Sequence, residues 1–466
     1  MRLCSKKCSG PARRRGDSGI SRATARDFVR CLADKLGGSI RGIVPCDGAH
    51  PVTRHLYETA QTGRGMQELQ ESVLRSYEAA CRSFGKFAVT RRDYLRATVA
   101  AAAGGLLPFT SSCALGGGYH DLSDFTGPGP GDTAAVGLAR AGSIEESVRV
   151  AIELAGGLSS IGPGESVVIK PNCVWFSGKQ GVETAEPDAP TTTNPEVVRA
   201  VIRAVKERNG DAGKIFIADH SARITSTPFI MMLLGYYALA MEEGARVMPW
   251  DATRHLSYYS DKFNYLKQRV AISSTVLKFD HFINVPVLKN HNIPQALAGD
   301  QAQYTCCLKA FVGVIRQSSR SFGADSFHAS NLPEHAAELN LCRPYVMPGG
   351  RPGITMNVVD ATRIIVDGGP HNSIFGEVMK VAEPGMIIAS SDRVACDSVA
   401  LSVLKRYGAL RGVSKDYMDT PVWQQRQLRH AALLNLGIAD TSRIEIQASG
   451  IESAEMAEIE GYWKES

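Results

Sequence analysis

The chain has 466 residues, of which 44% are hydrophobic and 21% charged, the composition of an ordinary globular protein. No stretch approaches the roughly 18 consecutive apolar residues of a membrane-spanning helix, which argues against such a span. Residues 1–100 carry 19 basic and 9 acidic side chains, whereas the rest of the chain carries 33 and 38. This mildly acidic larger part argues against nonspecific nucleic-acid binding through a broad basic surface.

The segment 88–118 has the pattern of a bacterial twin-arginine (Tat) export signal. Arg91 and Arg92 form the arginine pair, a weakly apolar run of small residues spans 97–107, and residues 110–114 resemble a cleavage site. A buried Ala-rich helix is the alternative interpretation, but the run is short and rich in Gly for a core helix. We therefore expect a protein that engages the Tat machinery and is exported to the periplasm or the membrane.

This signal begins about 90 residues into the chain, although export signals act at an N-terminus. A start codon assigned too far upstream would explain the position, with translation beginning at Met66 or Val89, and a genuine extension is the alternative. Cys113 is a candidate lipid-bearing cysteine, and ordinary cleavage near Ala114 fits the sequence equally well.

The charge, the signal and the strand pattern together divide the chain into three parts. The predicted parts are a non-native or disordered extension over 1–88, the signal region and a tether over 89–118, and a body over 119–466.

In the body, predicted strands alternate with predicted helices, which is typical of an α/β fold with a mostly parallel sheet and helices on both faces. Ser143 and Asn194 are predicted N-caps of two of the helices. In chain order, we predict a strand over 134–138, a helix after Ser143, a strand over 166–169, a helix over 195–209, strands over 215–218, 282–288, 354–359 and 386–389, and a final helix over 394–407.

Five of the predicted strands end in polar side chains. The five clusters are Lys170-Pro171-Asn172, Asp219-His220-Ser221, Lys289-Asn290-His291, Asp360, and Ser390-Ser391-Asp392. Ligands of open α/β sheets bind outside the carboxyl ends of the strands. We therefore expect the functional site at that edge of the sheet.

Several segments of the body, taken in order, resemble a known family. They are VVIKPN (167–172), TTNPEVV (192–198), Asp219, INVPVLKNH (283–291), TCCLKAFVGVI (305–315), NVVDA (357–361), GGP (368–370) and SSDRVACDSVAL (390–401). Over about 133–450, this series resembles the family called domain of unknown function 362. The family has no settled activity, so the resemblance implies a fold and a site more than a function. Some relatives carry a ferredoxin-like cysteine segment, and because no C-x-x-C occurs in this chain, no iron–sulfur cluster is expected.

Lys170, Lys289 and Lys309 lie in apolar stretches of the sequence. Burying an ammonium group there without a partner costs free energy or shifts its pKa. Aspartates could pair with them and simply fix the fold. The functional interpretation is a pocket for a small anion, either a phosphate or a carboxylate. The predicted ligand-binding residues are Lys170, Asn172, Asn194, Asp219 and Lys309.

The predicted catalytic residues are Lys289, His291 and His328. Lys289 and His291 alternate along a strand, so their side chains point to the same face. His328 follows a segment rich in Ser and Gly that is predicted to be a loop, and loops often carry functional residues. His220, His371 and Cys173 are further candidates, although a histidine is often structural and a buried cysteine often packs as an apolar residue.

The sequence contains no motif of a serine hydrolase, a P-loop NTPase or a dinucleotide-binding enzyme. Our hypothesis is therefore an exported α/β protein with a pocket lined by Lys and His for a small anionic ligand, acting as an acid–base enzyme. A non-catalytic periplasmic or surface binding protein is the alternative. A divalent-metal-dependent enzyme is a second alternative, although no metal-ligand spacing supports it.

Overall fold

The computed structural model describes residues 127–174, 190–221, 226–258, 263–266, 269–291, 303–320, 327, 331–342, 354–369, 379–414 and 416–465. Four kinds of prediction concern residues outside these ranges. They are the export signal with Arg91 and Arg92, the lipidation candidate Cys113, the catalytic candidate His328, and His371.

The described residues contain a central sheet of 11 strands and a separate pair of strands. The strands of the central sheet are β1 (Ala134–Ala139), β2 (Val167–Pro171), β3 (Ile215–Ile217), β4 (Arg246–Val247), β7 (His281–Val285), β8 (Val287–His291), β9 (Gln303–Thr305), β10 (Met356–Asp367), β11 (Lys380–Ala382), β12 (Met386–Ser390) and β13 (Ile444–Ser449). The separate pair consists of β5 (His255–Tyr258) and β6 (Val270–Ser273).

The strand order is β13-β1-β12-β10-β7-β2-β3-β4, with β8 and β11 also paired to β10 and β9 paired to β8. All neighbours from β10 to β4 are parallel, and β1 is parallel to β13. β12 is antiparallel to both of its neighbours, β1 and β10. The sheet is therefore mostly parallel, as the alternating sequence pattern predicts.

Helices cover both faces of this sheet, and each face has its own hydrophobic core. The helices are α1 (Ile144–Leu154), α2 (Pro195–Asn209), α3 (Thr227–Leu233), α4 (Tyr236–Glu243), α5 (Cys307–Ala310), α6 (Leu332–Leu339), α7 (Arg393–Leu410), α8 (Arg426–Leu433) and α9 (Ser453–Lys464). Helices α1, α2 and α4 bury apolar side chains against one face, and α5 to α9 bury theirs against the other. This arrangement confirms the predicted α/β class.

The two predicted N-caps are confirmed. Ser143 Oγ accepts the Glu146 N–H at 3.1 Å at the start of α1, and Asn194 Oδ1 accepts the Glu196 N–H at 3.0 Å at the start of α2. Each bond satisfies a backbone donor that the first helical turn leaves unpaired. Among the described residues, no helix has both the length and the apolar character needed to cross a membrane.

Several predicted bounds were wrong. The strand predicted over 354–359 continues to Asp367, so Asp360 lies inside β10 rather than at its end. The strand predicted over 282–288 divides at Pro286, which lacks the N–H that a continuous ladder requires. Helix α7 is longer than predicted and is followed by a strand and two further helices.

The direction of β12 corrects a larger prediction. Because β12 runs antiparallel to β10, its last residue Ser390 pairs with Asn357 near the start of β10, and the chain then leaves the sheet in the direction opposite to that in which β2, β3 and β8 end. Asp392 caps α7 there, where its Oδ1 accepts the N–H groups of Val394 and Ala395 at 2.8 Å. This cluster therefore serves the helix start and does not join the other strand-end clusters.

Candidate functional site

A buried ion pair lies at the carboxyl ends of β2 and β3. Lys170 Nζ is 3.0 Å from Asp219 Oδ1, and each side chain is only 1% exposed. Lys170 also donates to the carbonyl of Pro171 at 3.0 Å, and the N–H of Cys173 donates to Asp219 Oδ2 at 2.7 Å. Both carboxylate oxygens are thus engaged, and the pair has a fixed geometry.

Gly313 packs directly against this ion pair. It belongs to the 3₁₀ turn Phe311–Val314 that continues α5. A Cβ atom at this position would lie 2.5 Å from Asp219 Oδ1 and 2.8 Å from Lys170 Nζ, closer than real Cβ contacts. Only glycine therefore lets the chain after α5 approach the pair so closely.

His220 holds Gly313 in place and has a defined tautomer. The Gly313 carbonyl accepts both the backbone N–H of His220 at 3.1 Å and the ring Nδ1–H at 3.0 Å. Since a carbonyl can only accept, Nδ1 carries the proton, and the ring Nε2 accepts from His255 Nε2–H at 3.0 Å. Burial, together with the charge of Arg320, holds the pKa of His220 well below its usual value, so the ring is neutral.

Lys289 lies beyond the end of β2 on β8, the continuation of β7. Its side chain is 1% exposed, and Nζ donates to the carbonyl of Thr191. Burial and the nearby ammonium groups of Lys309 and Lys170 lower the pKa of Lys289 to about 7, although the charge of Asp219 opposes the shift. At neutral pH this amine is therefore divided between its charged and neutral forms.

Lys309 comes to the same place from α5. Its side chain is buried, and burial together with the guanidinium of Arg320 lowers the pKa of Lys309 to about 7. Arg320 is also buried, and its charge acts on Asp219 as well. We call Lys170, Lys289, Lys309 and Arg320 the basic cluster. Among the described residues, Asp219 is the one carboxylate that forms a salt bridge with any of its three lysines.

Polar side chains from three other elements fix the position of α5. Asp397 of α7 accepts the N–H of Cys307 at 2.6 Å, Asn340 donates to the carbonyl of Leu308 at 3.0 Å, and Asn284 of β7 donates to the carbonyl of Cys307 at 3.3 Å. A helix of four residues has no stability of its own. These bonds therefore determine where Lys309 lies.

Comparison with known proteins assigns the chain to a family. The family described as domain of unknown function (DUF362) matches residues 167–402, just over half of the chain. The chain belongs to this family. All four residues of the basic cluster lie within the matched span of this DUF362 protein, as does Asp219.

A solved structure is distantly similar to the DUF362 protein. It is the lactate racemase apoprotein from Thermoanaerobacterium thermosaccharolyticum, 8% identical, with a TM-score of 0.31, covering 70% of this chain and 85% of that one. A similarity this low carries no argument about function. No curated protein matches the chain at a significant level.

Two other residues predicted to bind the ligand have structural contacts in the DUF362 protein. Asn172 exchanges hydrogen bonds with Thr193: its N–H donates to Thr193 Oγ1 at 2.8 Å, and its carbonyl accepts the Thr193 N–H at 3.1 Å. Asn194 caps α2 with its side chain, and its N–H donates to Asp360 Oδ2 at 2.7 Å. These bonds hold the segment that contains Thr191 beside β2. The position of the Thr191 carbonyl, which accepts a hydrogen bond from Lys289, is thereby fixed.

His291 and Lys289 lie two residues apart on β8, as predicted. His291 is buried and pairs with Gln303 of β9, whereas Lys289 pairs with Thr305. The role of His291 in catalysis stays a prediction. Cys173 is fully buried, and burial together with the charge of Asp219 raises the pKa of its thiol well above the usual value, which disfavours a nucleophilic thiolate.

Several residues that complete this region could not be found from the sequence. Arg320 lies after a Ser-rich loop segment, Thr191 contributes only its backbone carbonyl, and Gly313 contributes the absence of a side chain. None of these has a local sequence pattern. His255 could have been found only through its pairing with His220, which joins residues 35 positions apart.

Within the described part of the chain, one group of side chains is spaced to hold a metal ion: Cys306, Cys307 and Asp397, whose ligand atoms lie within 4.8 Å of one another. Asp397 already accepts the N–H groups of Cys307 and Leu308 and the amide of Gln427. Burial raises the pKa of both thiols, so the charged ligands that a metal requires are disfavoured. We assign this group to the anchoring of α5.

A cleft of about 330 Å³ opens at the opposite edge of the sheet, near the amino ends of β2, β3 and β4. Its lining includes Asp211, Lys214, Phe216, Arg246 and Lys278. Of these residues none is buried, so their charges are solvated and impose no requirement for a ligand. The buried groups at the carboxyl edge are therefore the better candidate site.

Proposed function

We propose that this DUF362 protein binds a small anion, a phosphate or a carboxylate, within the basic cluster. The observation that carries the proposal is the charge imbalance: three buried lysines share one salt-bridged carboxylate among the described residues. Buried like charges repel one another, and each loses its hydration. An anion among them would accept charge-assisted hydrogen bonds and relieve both penalties.

A purely structural set of Lys–Asp pairs fits these observations less well. Within the described part of the chain, Lys170 is the one lysine of the three that forms a salt bridge with a carboxylate, whereas Lys289 donates to a backbone carbonyl, which brings no negative charge. The buried carboxylate of Asp360 is bonded instead to Asn194 and Thr362. Pairing therefore accounts for one lysine of the three.

The site also favours an enzyme over a passive binding protein. An acid–base group works best when its pKa lies near the working pH, and burial and neighbouring charges bring the pKa of both Lys289 and Lys309 to about 7. The same two lysines could thus hold an anionic substrate and exchange a proton with it.

Phosphate binding to matched lysine variants tests the proposal. We expect Lys289→Met and Lys309→Met to weaken binding of inorganic phosphate, measured by titration calorimetry, at least about tenfold, or roughly 1.4 kcal/mol. Lys405→Met is the control, since Lys405 is also buried but pairs with Glu465 at 3.1 Å. Wild-type affinity in both cluster variants, or an equal loss in the control, would contradict the proposal.

We further propose that the protein is exported through the Tat pathway and resides in the periplasm or, if Cys113 is lipidated, at the membrane. The support is the arginine pair followed by a short apolar run. Replacing both Arg91 and Arg92 by Lys should leave the protein in the cytoplasmic fraction, whereas Arg96→Lys should not. Unchanged location of the double variant would refute this assignment.

A further inference from the structure

We propose that Lys289 is a nucleophile that forms an imine with an oxo compound carrying a carboxylate or phosphate group. The inference rests on the anion site proposed above and adds to it a covalent step, a reacting atom and a substrate class. Its basis is the arrangement around Lys289: a backbone acceptor for its amine and two further lysines beside it.

The Thr191 carbonyl orients the amine of Lys289. An uncharged amine can donate one N–H to this carbonyl and keep its lone pair available for attack. A carboxylate partner would instead hold the group as an ammonium ion, which has no lone pair. Among the described residues, no carboxylate forms a salt bridge with Lys289, although Asp219 does so with Lys170.

The neighbours of Lys289 supply the other two requirements of the reaction. Lys289 pairs in register with Thr305 of β9, and the chain runs from there directly into α5, which carries Lys309, and into the turn whose Gly313 packs against Lys170. The charges of Lys309 and Lys170 both lower the pKa of Lys289. Lysines are activated as nucleophiles by burial and by adjacent cations. The same cations would attract the anionic group of a substrate, which would bring a carbonyl on the adjacent carbon to the amine.

The chemical step balances with the groups present. The neutral amine of Lys289 attacks the carbonyl carbon, the C=O π bond breaks, and the oxygen takes up the proton that the attacking nitrogen, now positively charged, gives up. Loss of this oxygen as water, after a second protonation, leaves the C=N bond of the iminium ion, with no oxidation or reduction. In this scheme the second proton comes from Lys309, whose pKa is lowered to about 7 by burial and by the charge of Arg320.

Reductive trapping on the full-length wild-type protein tests this inference. The protein is incubated with pyruvate or with glycolaldehyde phosphate and reduced with sodium borohydride, and the product is mapped by peptide mass spectrometry. We expect one adduct per chain, on Lys289. Acetone is the matched neutral probe and should label far less, because it has no anionic group.

The buried Lys405, held by Glu465 and the Thr420 carbonyl, is an internal control in the same digest and should stay unmodified. An adduct on Lys309 instead of Lys289, or equal labelling of Lys405, would overturn the assignment. Phosphate binding without any trapped adduct would overturn the imine and leave the anion site standing. Absence of both phosphate binding and adduct would overturn the proposed function and this inference together.

Discussion

Gly313 shows how a single residue sets the geometry of the basic cluster. Its carbonyl is held by His220 from one side, and the space where its side chain would stand is filled by Lys170 and Asp219. The turn after α5 is thereby fixed against the ion pair. Any larger residue at this position must push the turn away from the Lys170–Asp219 ion pair. The segment that links Lys309 to Arg320 would move with the turn.

Gly313→Ala should therefore destabilise the fold by about 1–3 kcal/mol, the usual cost of overpacking a tight interior, and weaken phosphate binding. Urea unfolding and phosphate titration measure the two effects. Gly461→Ala is the control, since a Cβ at this position in α9 meets nothing within 4 Å. Because alanine is more stable than glycine within a helix, the control substitution should raise the free energy of unfolding by about 0.5–1 kcal/mol. Wild-type stability in Gly313→Ala would show that the turn can move away without cost.

At the scale of elements, the sequence indicated some placements and could not indicate others. Lys170 lies at the end of β2 and Asp219 follows β3, and both positions could be predicted because strand ends are local features. Lys289 was predicted to follow a strand, but it lies in the middle of β8, which continues to His291. The direction of β12 could not, because a short buried run such as MIIAS has the same apolar pattern in either direction. Its antiparallel pairing with β1 and β10 depends on residues far away in sequence.

The continuation of β10 through Asp360 has a similar cause. A buried aspartate normally interrupts a strand, but Asp360 accepts hydrogen bonds from the N–H of Asn194 and from Thr362. The first of these partners lies 166 residues away, and no sequence pattern reveals it. A hydrogen bond from a residue distant in sequence thus allows β10 to continue through Asp360.

Helix α2 offers a test that separates local stability from ligand binding. Asn194→Ala removes the side-chain oxygen that accepts the Glu196 N–H and should destabilise the protein by about 1 kcal/mol. Its backbone bond to Asp360 remains, so the chain carrying Thr191 should keep its place and phosphate affinity should change less than about twofold. Asn194→Asp is the conservative control and should retain most of the stability. A large loss of phosphate affinity in Asn194→Ala would place this side chain at the ligand.

At the scale of the whole molecule, the cluster is enclosed by the fold. The sheet carries separate hydrophobic cores on its two faces, and all four basic residues are buried at its carboxyl edge. Folding therefore has to dehydrate several cations, and in the residues that the structure describes, one of the three lysines recovers a direct ion pair. The free-energy cost of this dehydration depends on how many of the buried lysines are protonated. The free energy of unfolding should therefore depend on pH.

The free protein should become more stable as the pH rises from about 7 to about 8.5. Burial and neighbouring cations lower the pKa of Lys289 and Lys309 to about 7 in the fold, whereas an unfolded lysine titrates near about 10.4. In this window the unfolded chain binds more protons, so each lysine contributes up to about 1.4 kcal/mol per pH unit. Above this window, buried thiols such as Cys306 have the opposite effect. Their pKa is raised in the fold, so the thiol ionises first in the unfolded chain, and a further rise in pH lowers the free energy of unfolding.

Urea unfolding across this window, with and without saturating phosphate, measures the effect. Lys289→Met should show roughly half of the wild-type slope, because one of the two titrating lysines is gone. Bound phosphate should flatten the wild-type curve, since an anion among the lysines raises their pKa toward the unfolded value. Lys405→Met should keep the wild-type slope, because Lys405 lies outside the cluster and is paired with Glu465. A free-protein curve that is flat or falls with pH would mean that the lysines are already neutralised in the fold, and the anion site would lose its main physical argument.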